Sequence, residues 1–414
     1  FIRMADMILP VKASGSANLR WEEGRSKDMT GDVRFKLEPH EALTADLAIE
    51  AERSQFNNAL FQKAYVLPAY NETEFRLEGR QMRDLKSHLQ TPYTTMDVSG
   101  TIDFSGEANL DVVSHTTKIA EIDLLFHHLQ AYFSGRPART QEFWAVRGAA
   151  DFTGKLDATV WNPFRPRLTG EVIAGDVVYH GVPWERIRAD VRFHDKLIEI
   201  FDSRLALGNA TAQAKATFFL KDSRKGTPNA LDLVASVQDF PAVEVAHAFS
   251  LDLPIHGTID ATLELKGPFA ELEGRADFES PGGDFWGEKW DRGKGTVLFF
   301  PDSLGVREVT AHLNGGYIQA SGDLVFESDV YNVQFNAENI PLQRLTVLKK
   351  AQLEISGVGS ATGGGEGTLR KPELHATLDL KNLIYRGEMY GNVAADVNLQ
   401  PETLFVNATG VARG

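Results

Sequence analysis

Cysteine is absent from this sequence, which excludes disulfides, thiolate metal sites and a cysteine nucleophile. The absence is compatible with an oxidising compartment such as the periplasm. No apolar run reaches the roughly 18 residues that a membrane-spanning helix needs. A basic stripe is missing too: 43 Lys and Arg are scattered among 57 Asp and Glu, for a net charge of −14. Nucleic-acid phosphates call for clustered cations, so no DNA or RNA partner is expected. Anionic membrane surfaces should be repelled by most of this surface. What is present is the composition of a folded protein, 43% hydrophobic and 24% charged over 414 residues, enough chain for two or three ordinary domains.

The chain repeats itself at an offset of 100 residues. Pro241/Pro341, Gly257/Gly357, Ala261/Ala361, Gly267/Gly367, Glu273/Glu373, Gly287/Gly387, Val297/Val397 and Pro301/Pro401 match without a gap. A third copy lies upstream, where Gly154-Lys-Leu-Asp-Ala-Thr-Val160 reads against Gly257-Thr-Ile-Asp-Ala-Thr-Leu263 and Gly181-Val-Pro-Trp184 against Gly287-Glu-Lys-Trp290. A shared offset marks one structural unit used several times, and such units stack into an extended body with a long surface. The expected division is an irregular β-rich segment over 1–136, ending in an amphipathic helix, then copies over 137–236, 237–336 and 337–414. Helices at 241–250 and 341–350 open the second and third copies. Phe1 is not a start residue, no targeting segment follows it, and the sequence stops inside the third copy. An internal piece of a longer protein is therefore the expectation.

Within a copy the period is two. Ile259, Ala261, Leu263 and Leu265 share one face, and Thr258, Asp260, Thr262, Glu264 and Lys266 share the other. Strict alternation marks a strand with one apolar and one wet face. Breaks such as Asn314-Gly-Gly316 and Pro281-Gly-Gly-Asp284 act as turns, and short connections favour antiparallel neighbours. Ile119, Ile122, Phe126, Leu129 and Phe133 carry the spacing of an amphipathic helix. Pro241 and Pro341 suit the first turns of two more. The predicted fold is all-β with a few short helices: a long curled, antiparallel-rich sheet whose apolar faces meet across a U-shaped trough. At roughly 12 residues per strand and turn, the body would hold about 30 strands.

The trough is expected to be lined by Leu156, Val160, Ile259, Leu263, Leu265, Phe278, Phe285, Val297, Phe299, Leu324, Phe326, Val333, Phe335, Leu378, Leu380, Tyr385 and Val397. The same pattern would fill the dry core of a closed sandwich or solenoid. Alternation alone leaves open which of the two it is.

Other constellations have plain structural explanations. Asp123 and His127 have the i, i+4 spacing of metal pairs, beside Glu121 and His128, but a solvated helix face accounts for them. Gly357-Val-Gly-Ser-Ala-Thr-Gly-Gly-Gly-Glu-Gly367 lacks the Gly-Lys-Ser/Thr ending of a phosphate loop, and the repeat places it on a strand. Trp184, Trp286 and Trp290 read as hairpin-packing residues. Asn71-Glu-Thr73, Asn209-Ala-Thr211 and Asn407-Ala-Thr409 fit the glycosylation pattern at a chance frequency. No Ser/His/Asp or paired-carboxylate arrangement stands out. Neither an enzyme nor a cofactor is expected.

The phrase Leu253-Pro-Ile-His-Gly-Thr-Ile-Asp-Ala-Thr-Leu-Glu-Leu-Lys-Gly-Pro268, then Leu272-Glu-Gly274 and Asp284-Phe-Trp-Gly287, resembles the AsmA/TamB superfamily of bacterial envelope proteins. The parallel phrases in 154–170 and 357–387 carry the same likeness, which covers roughly 140–414 well and 1–139 weakly. The resemblance implies a β-groove open along one side. It also implies a bridge that carries phospholipids across the periplasm between inner and outer membranes, and so a place in outer-membrane biogenesis. Some members pair with an outer-membrane assembly barrel, and an N-terminal inner-membrane anchor and a C-terminal barrel-contacting region are usual; neither segment is visible in this sequence. The alternative role is a scaffold for assembly or translocation of outer-membrane proteins. Gly363-Gly-Gly365 replaces Leu263-Glu-Leu265, which removes two groove side chains from the third copy.

Overall fold

The computed structural model describes residues 2–4, 7–9, 11–39, 65–66, 69–122, 146–159, 165–179, 181–220, 228–248, 254–285, 287–313, 315–368, 371–400 and 403–411. The chain divides into two units, Phe1–Leu207 and Gly208–Gly414.

The first unit holds β1 (Ile2–Met4), β2 (Met7–Leu9), β3 (Val11–Arg20), β4 (Thr30–Pro39), β5 (Tyr65–Val66), β6 (Tyr70–Glu78), β7 (Gln81–Gln90), β8 (Thr94–Asp103), β9 (Glu107–Thr116), β10 (Arg147–Thr159), β11 (Arg165–Tyr179), β12 (Val182–His194) and β13 (Leu197–Leu207). β1, β2 and β5 form a minor sheet in which β2 and β5 run parallel. The other strands form an antiparallel ladder with their neighbours in the chain.

The second unit holds β14 (Ala210–Phe219), β15 (Ala230–Pro241), α1 (Ala242–Ala248), β16 (Ile255–Pro268), β17 (Glu273–Ser280), β18 (Gly283–Phe285), β19 (Glu288–Trp290), β20 (Arg292–Phe299), β21 (Ser303–Leu313), β22 (Gly316–Val325), β23 (Val330–Pro341), α2 (Thr346–Lys350), β24 (Ile355–Thr368), β25 (Lys371–Tyr385), β26 (Glu388–Gln400) and β27 (Thr403–Val411). It too is an antiparallel ladder, with β18 and β19 as a small hairpin beside the first residues of β16. Neither ladder closes on itself through a pairing among its described residues, so the fold is a sheet rather than a barrel. The expected all-β class with a few short helices is what the chain adopts.

The repeat is visible strand by strand. β16 and β24 begin 100 residues apart, and β15 and β23 end 100 residues apart. Both of the latter carry a bulge in the same place, between Val237 and Phe240 and between Ala337 and Ile340. At each bulge a left-handed residue takes the extra position, Asp239 at φ 52° and Asn339 at φ 57°, a region that Asp and Asn tolerate better than most residues. Its N–H is received in the next strand by Asp260 Oδ1 at 2.8 Å in one copy and Ser360 Oγ at 3.4 Å in the other. Glu308 and Asn382 mark further bulges. A bulge bends its strand and increases its twist, which makes such a sheet curl.

Two expectations need correction. Strands run to 13–15 residues in the upstream copy, so a copy takes six ladder strands, fewer than a 12-residue spacing would give. Longer strands persist because internal glycines such as Gly154 and Gly170 do not end them. These two face each other across the β10–β11 pair, and the Phe152 ring lies where their Cβ atoms would be. Pro241 and Pro341 also close β15 and β23 instead of sitting in the first helical turn. In the third copy the helix is interrupted: a 3-10 turn over Leu342–Arg344, extended Leu345, then α2. Of the helix expected over 119–133, only Ile119–Ile122 falls within the described residues, and these are helical.

Beyond Asp103, at the end of β8, a carboxylate orders the turn. Asp103 Oδ2 accepts from Gln81 Nε2 at 2.9 Å and Oδ1 from the Ser105 backbone N–H at 2.6 Å. These two bonds, the Gln81 bond first, hold its pKa at about 2. A depressed carboxylate pKa gives stability that is complete above the unfolded value near 3.8 and lost as pH falls through about 2. Hydrogen exchange of the β8–β9 hairpin between pH 5 and pH 2 is expected to accelerate relative to an Asp103→Asn variant, which lacks that acid limb. Parallel pH profiles in the two proteins would count against the account.

Candidate functional site

The register assembles the apolar side chains of the second unit into rows that run across the strands. One row is Leu233, Leu265, Gly274, Phe299, Leu304, Leu324 and Tyr331. The next is Ala235, Leu263, Ala276, Val297, Val306, Gly322, Val333, Gly365 and Leu374. A third joins Ala261 to Phe278, and farther along Phe335, Gly363, Ala376 and Val397. Leu378 sits between Ala361 and Ala395, and Leu380 opposite Gly359 and Val393. In the first unit Leu156 lies in the row Leu85, Gly100, Leu110, Leu156, Leu168, Phe193 and Ile198. Directly opposed residues of an antiparallel pair share a face, so each row is continuous on one side of its sheet.

Three of the expected residues sit at the margins of this face. Ile259 pairs with Phe240 across the bulge. Phe285 and Tyr385 pair with Ile255 and Ile355, near the helices. Phe326 departs from the expectation: β22 ends at Val325, and Phe326 lies in the following turn, 43% exposed. Its N–H is held by the Asp302 carbonyl of the neighbouring turn. Val160 lies outside the described residues, as do Asp123, His127, His128 and Trp286.

Burial separates large from small side chains. None of the expected lining residues in the ladders is fully buried; all are half-covered. The buried apolar positions in mid-strand are mostly alanines, including Ala108, Ala158, Ala189, Ala212, Ala337, Ala376 and Ala395. Large buried side chains are fewer: Phe240, Ile340, Leu342 and Leu383 lie near the bulges and helices, while Leu85 and Leu110 form a buried cluster in the apolar row of the first unit. This is the signature of a single layer. Larger side chains lie beside their small neighbours, and among the described residues the expected lining positions stay half-covered. A closed sandwich would bury the Leu and Phe of its inner faces outright.

The opposite face is polar and ion-paired. Arg275 binds Asp277 at 2.7 Å, and Thr296 donates to the same carboxylate at 2.6 Å. These bonds lower the Asp277 pKa and raise that of Arg275. Arg307–Asp323, at 2.6 Å, and Lys266–Asp232, at 3.5 Å, continue the pattern. Exposed pairs of this kind contribute little to stability; they keep this face in water. Two shallow cavities open on the polar side. One, of about 1020 Å³, lies over Gly364 among Gln334, Asn336, Thr362 and His375. The other, of about 880 Å³, lies among Arg83, Asn109, Asp157 and Arg167.

Among the described residues no group of three His, Asp or Glu converges as metal ligands would. Glu121 is 3% exposed and serves a structural end: Thr91 and Thr94 hydroxyls donate to its Oε2 at 2.7 and 2.6 Å. Asn71, the first glycosylation-like position, donates its amide to Ser87 Oγ at 3.0 Å and the His88 carbonyl at 3.1 Å. Trp290 donates to Ser280 Oγ at 3.1 Å and packs in the hairpin, as expected.

Several row members escaped the sequence reading, among them Leu304, Tyr331, Leu374, Leu110 and Phe193. The cross-strand register, which joins them to the rows, was the missing signal. No family model, curated protein or solved structure matches this chain.

Proposed function

We propose that this chain is a segment of a periplasm-spanning, bridge-like lipid-transfer protein of the AsmA/TamB kind, whose apolar sheet face carries phospholipid acyl chains between inner and outer membranes. The observation that supports it is the set of continuous apolar rows of the second unit, whose large side chains are half-covered. Such a surface wants an apolar partner along its whole length. Exposing an acyl chain to water costs about 0.8 kcal/mol per CH₂, on the order of 12 kcal/mol for a chain of about 15 methylenes. A lane that offers apolar contact at each strand removes most of that cost at every step. Headgroups stay in water at the open side. The reading needs no reaction and no cofactor. An outer-membrane assembly barrel and an inner-membrane anchor would be its partners outside this segment.

The test is mass spectrometry of organic extracts from the purified chain. Near-stoichiometric phospholipid is the expected result. A well-folded protein that yields no lipid and takes up none from vesicles of zwitterionic phospholipid would refute lipid carriage. Co-purifying polypeptide in place of lipid would favour a scaffold that receives strands of other envelope proteins by β-augmentation.

A further inference from the structure

Within the second unit the tip of the β18–β19 hairpin is occupied. α2 has no side-chain N-cap of its own. Instead the Val347 N–H, in its first turn, donates to Glu288 Oε1 at 2.5 Å. A Cβ at Gly287 would lie 3.1 Å from Lys350 Nζ and 3.6 Å from Thr346 Cγ2, so the turn of the hairpin sits directly against the helix. Trp290 packs on Leu313, Ala337 and Ile340, in company with Leu345. This hairpin is thus closed by the helix of the copy that follows it, whereas at the upstream hairpin a Cβ at Gly181 would meet nothing within 4 Å. A carboxylate meets an N–H that the helix leaves unsatisfied, and an indole meets the aliphatic side chains flanking that helix.

The same hairpin recurs 100 residues later between β25 and β26, with Gly387, Glu388 and Tyr390 in place of Gly287, Glu288 and Trp290. There it is bare. A Cβ at Gly387 would meet nothing within 4 Å. Met389 is 75% exposed and Tyr390 43% exposed, and the Tyr390 hydroxyl donates to Glu388 Oε2 at 3.5 Å.

We propose that the 386–390 hairpin is a docking surface for a short helix of this repeat's own type. Its first-turn N–H would bond Glu388, its flanking aliphatic residues would cover Tyr390, and its last-turn lysine would rest against Gly387. The occupant follows from the equivalent site in the same molecule, where α2 fills each of these roles. The inference concerns how copies stack and stands apart from lipid carriage.

The experiment fuses a second copy of residues 337–354 after Gly414 through a flexible Gly/Ser linker, which sets a millimolar-range effective concentration. Amide exchange over 386–391 is read by peptide mass mapping, with the β8–β9 hairpin of the first unit as internal reference. The fusion is expected to slow amide exchange over 386–391 about tenfold. Glu388→Ala in the fusion, or a scrambled peptide, is expected to restore the unfused rates. Unchanged rates in the fusion, or equal protection by the scrambled peptide, would overturn the proposal.

Discussion

Gly363→Leu is expected to lower the stability of the second unit by about 3 kcal/mol, read as a lower urea midpoint at unchanged slope. Comparison of the repeats argues the reverse. Leu263 holds the matching place in the preceding copy, and the register partners match as well: Leu263 faces Ala276 and Gly363 faces Ala376. The backbones differ. A Cβ at Gly363 would lie 2.2 Å from the His375 carbonyl oxygen and 2.8 Å from Ala376 Cα. Both are main-chain atoms, so β24 and β25 would have to separate to admit any side chain. On the lane face β24 reads Gly359, Ala361, Gly363, Gly365, Gly367, and its neighbours close over it. The Tyr331 ring comes within 3.4 Å of where a Gly365 Cβ would stand, and its hydroxyl reaches across β24 to donate to the Glu373 carbonyl at 3.3 Å. Burial raises the Tyr331 pKa, in keeping with a ring laid along the sheet. A half-buried leucine returns at most about 1–2 kcal/mol, too little to offset the strain. Stability equal to or above that of the parent chain would mean that the ladders of the two copies are interchangeable and that β24 is not a closed-over strand.

The legible part of this fold is the part with an unbroken period. Ile259 to Leu265 alternate without interruption, and their face could be assigned directly. The 100-residue offset then carried the assignment to Leu378, Leu380 and Val397. Legibility failed where the phase resets. Asp239, Glu308, Asn339 and Asn382 each insert a left-handed residue at a bulge, and a period-two reading slips by one residue there. Phe326 was counted with Leu324 by simple alternation, yet the strand ends one residue earlier. Glycine misled in the other direction. Gly154, Gly170 and Gly322 look like breaks but lie inside strands, where close strand approach or an overlying aromatic ring makes use of the missing side chain. The absence of a clear repeat before residue 137 also has a physical reason. β3, β4 and β6 to β9 form the same antiparallel ladder, but in strands of a uniform 9 or 10 residues, whereas the ladder strands of the copies range from 8 to 15. Strands of different length keep the texture of the repeat and lose its offset.

Leu263→Asp is expected to reduce co-purifying phospholipid at least tenfold while the second unit stays folded. The argument rests on what surrounds the side chain. Leu263 is half-buried, and its direct partners on either side are Ala235 and Ala276. A carboxylate placed between two methyl groups on an open face can turn into water, so its desolvation cost is small, on the order of 1–2 kcal/mol with the lost leucine contacts included. In a dry core the same charge would be unpaired and buried, and the loss would be several kcal/mol. Stability and loading therefore answer different questions. A urea midpoint near that of the parent chain shows that the face is wet or lipid-filled; collapse of the fold shows a closed core. For loading, the carboxylate interrupts the row Ala235, Leu263, Ala276, Val297, Val306 at its second member, and an acyl chain lying along that row would have to desolvate the charge to pass. Leu263→Asn separates the two effects of the change, since it is polar without the charge and is expected to retain an intermediate load. A folded Leu263→Asp protein that carries as much phospholipid as the parent would place the lipid elsewhere on the molecule and remove the lane from the proposed function.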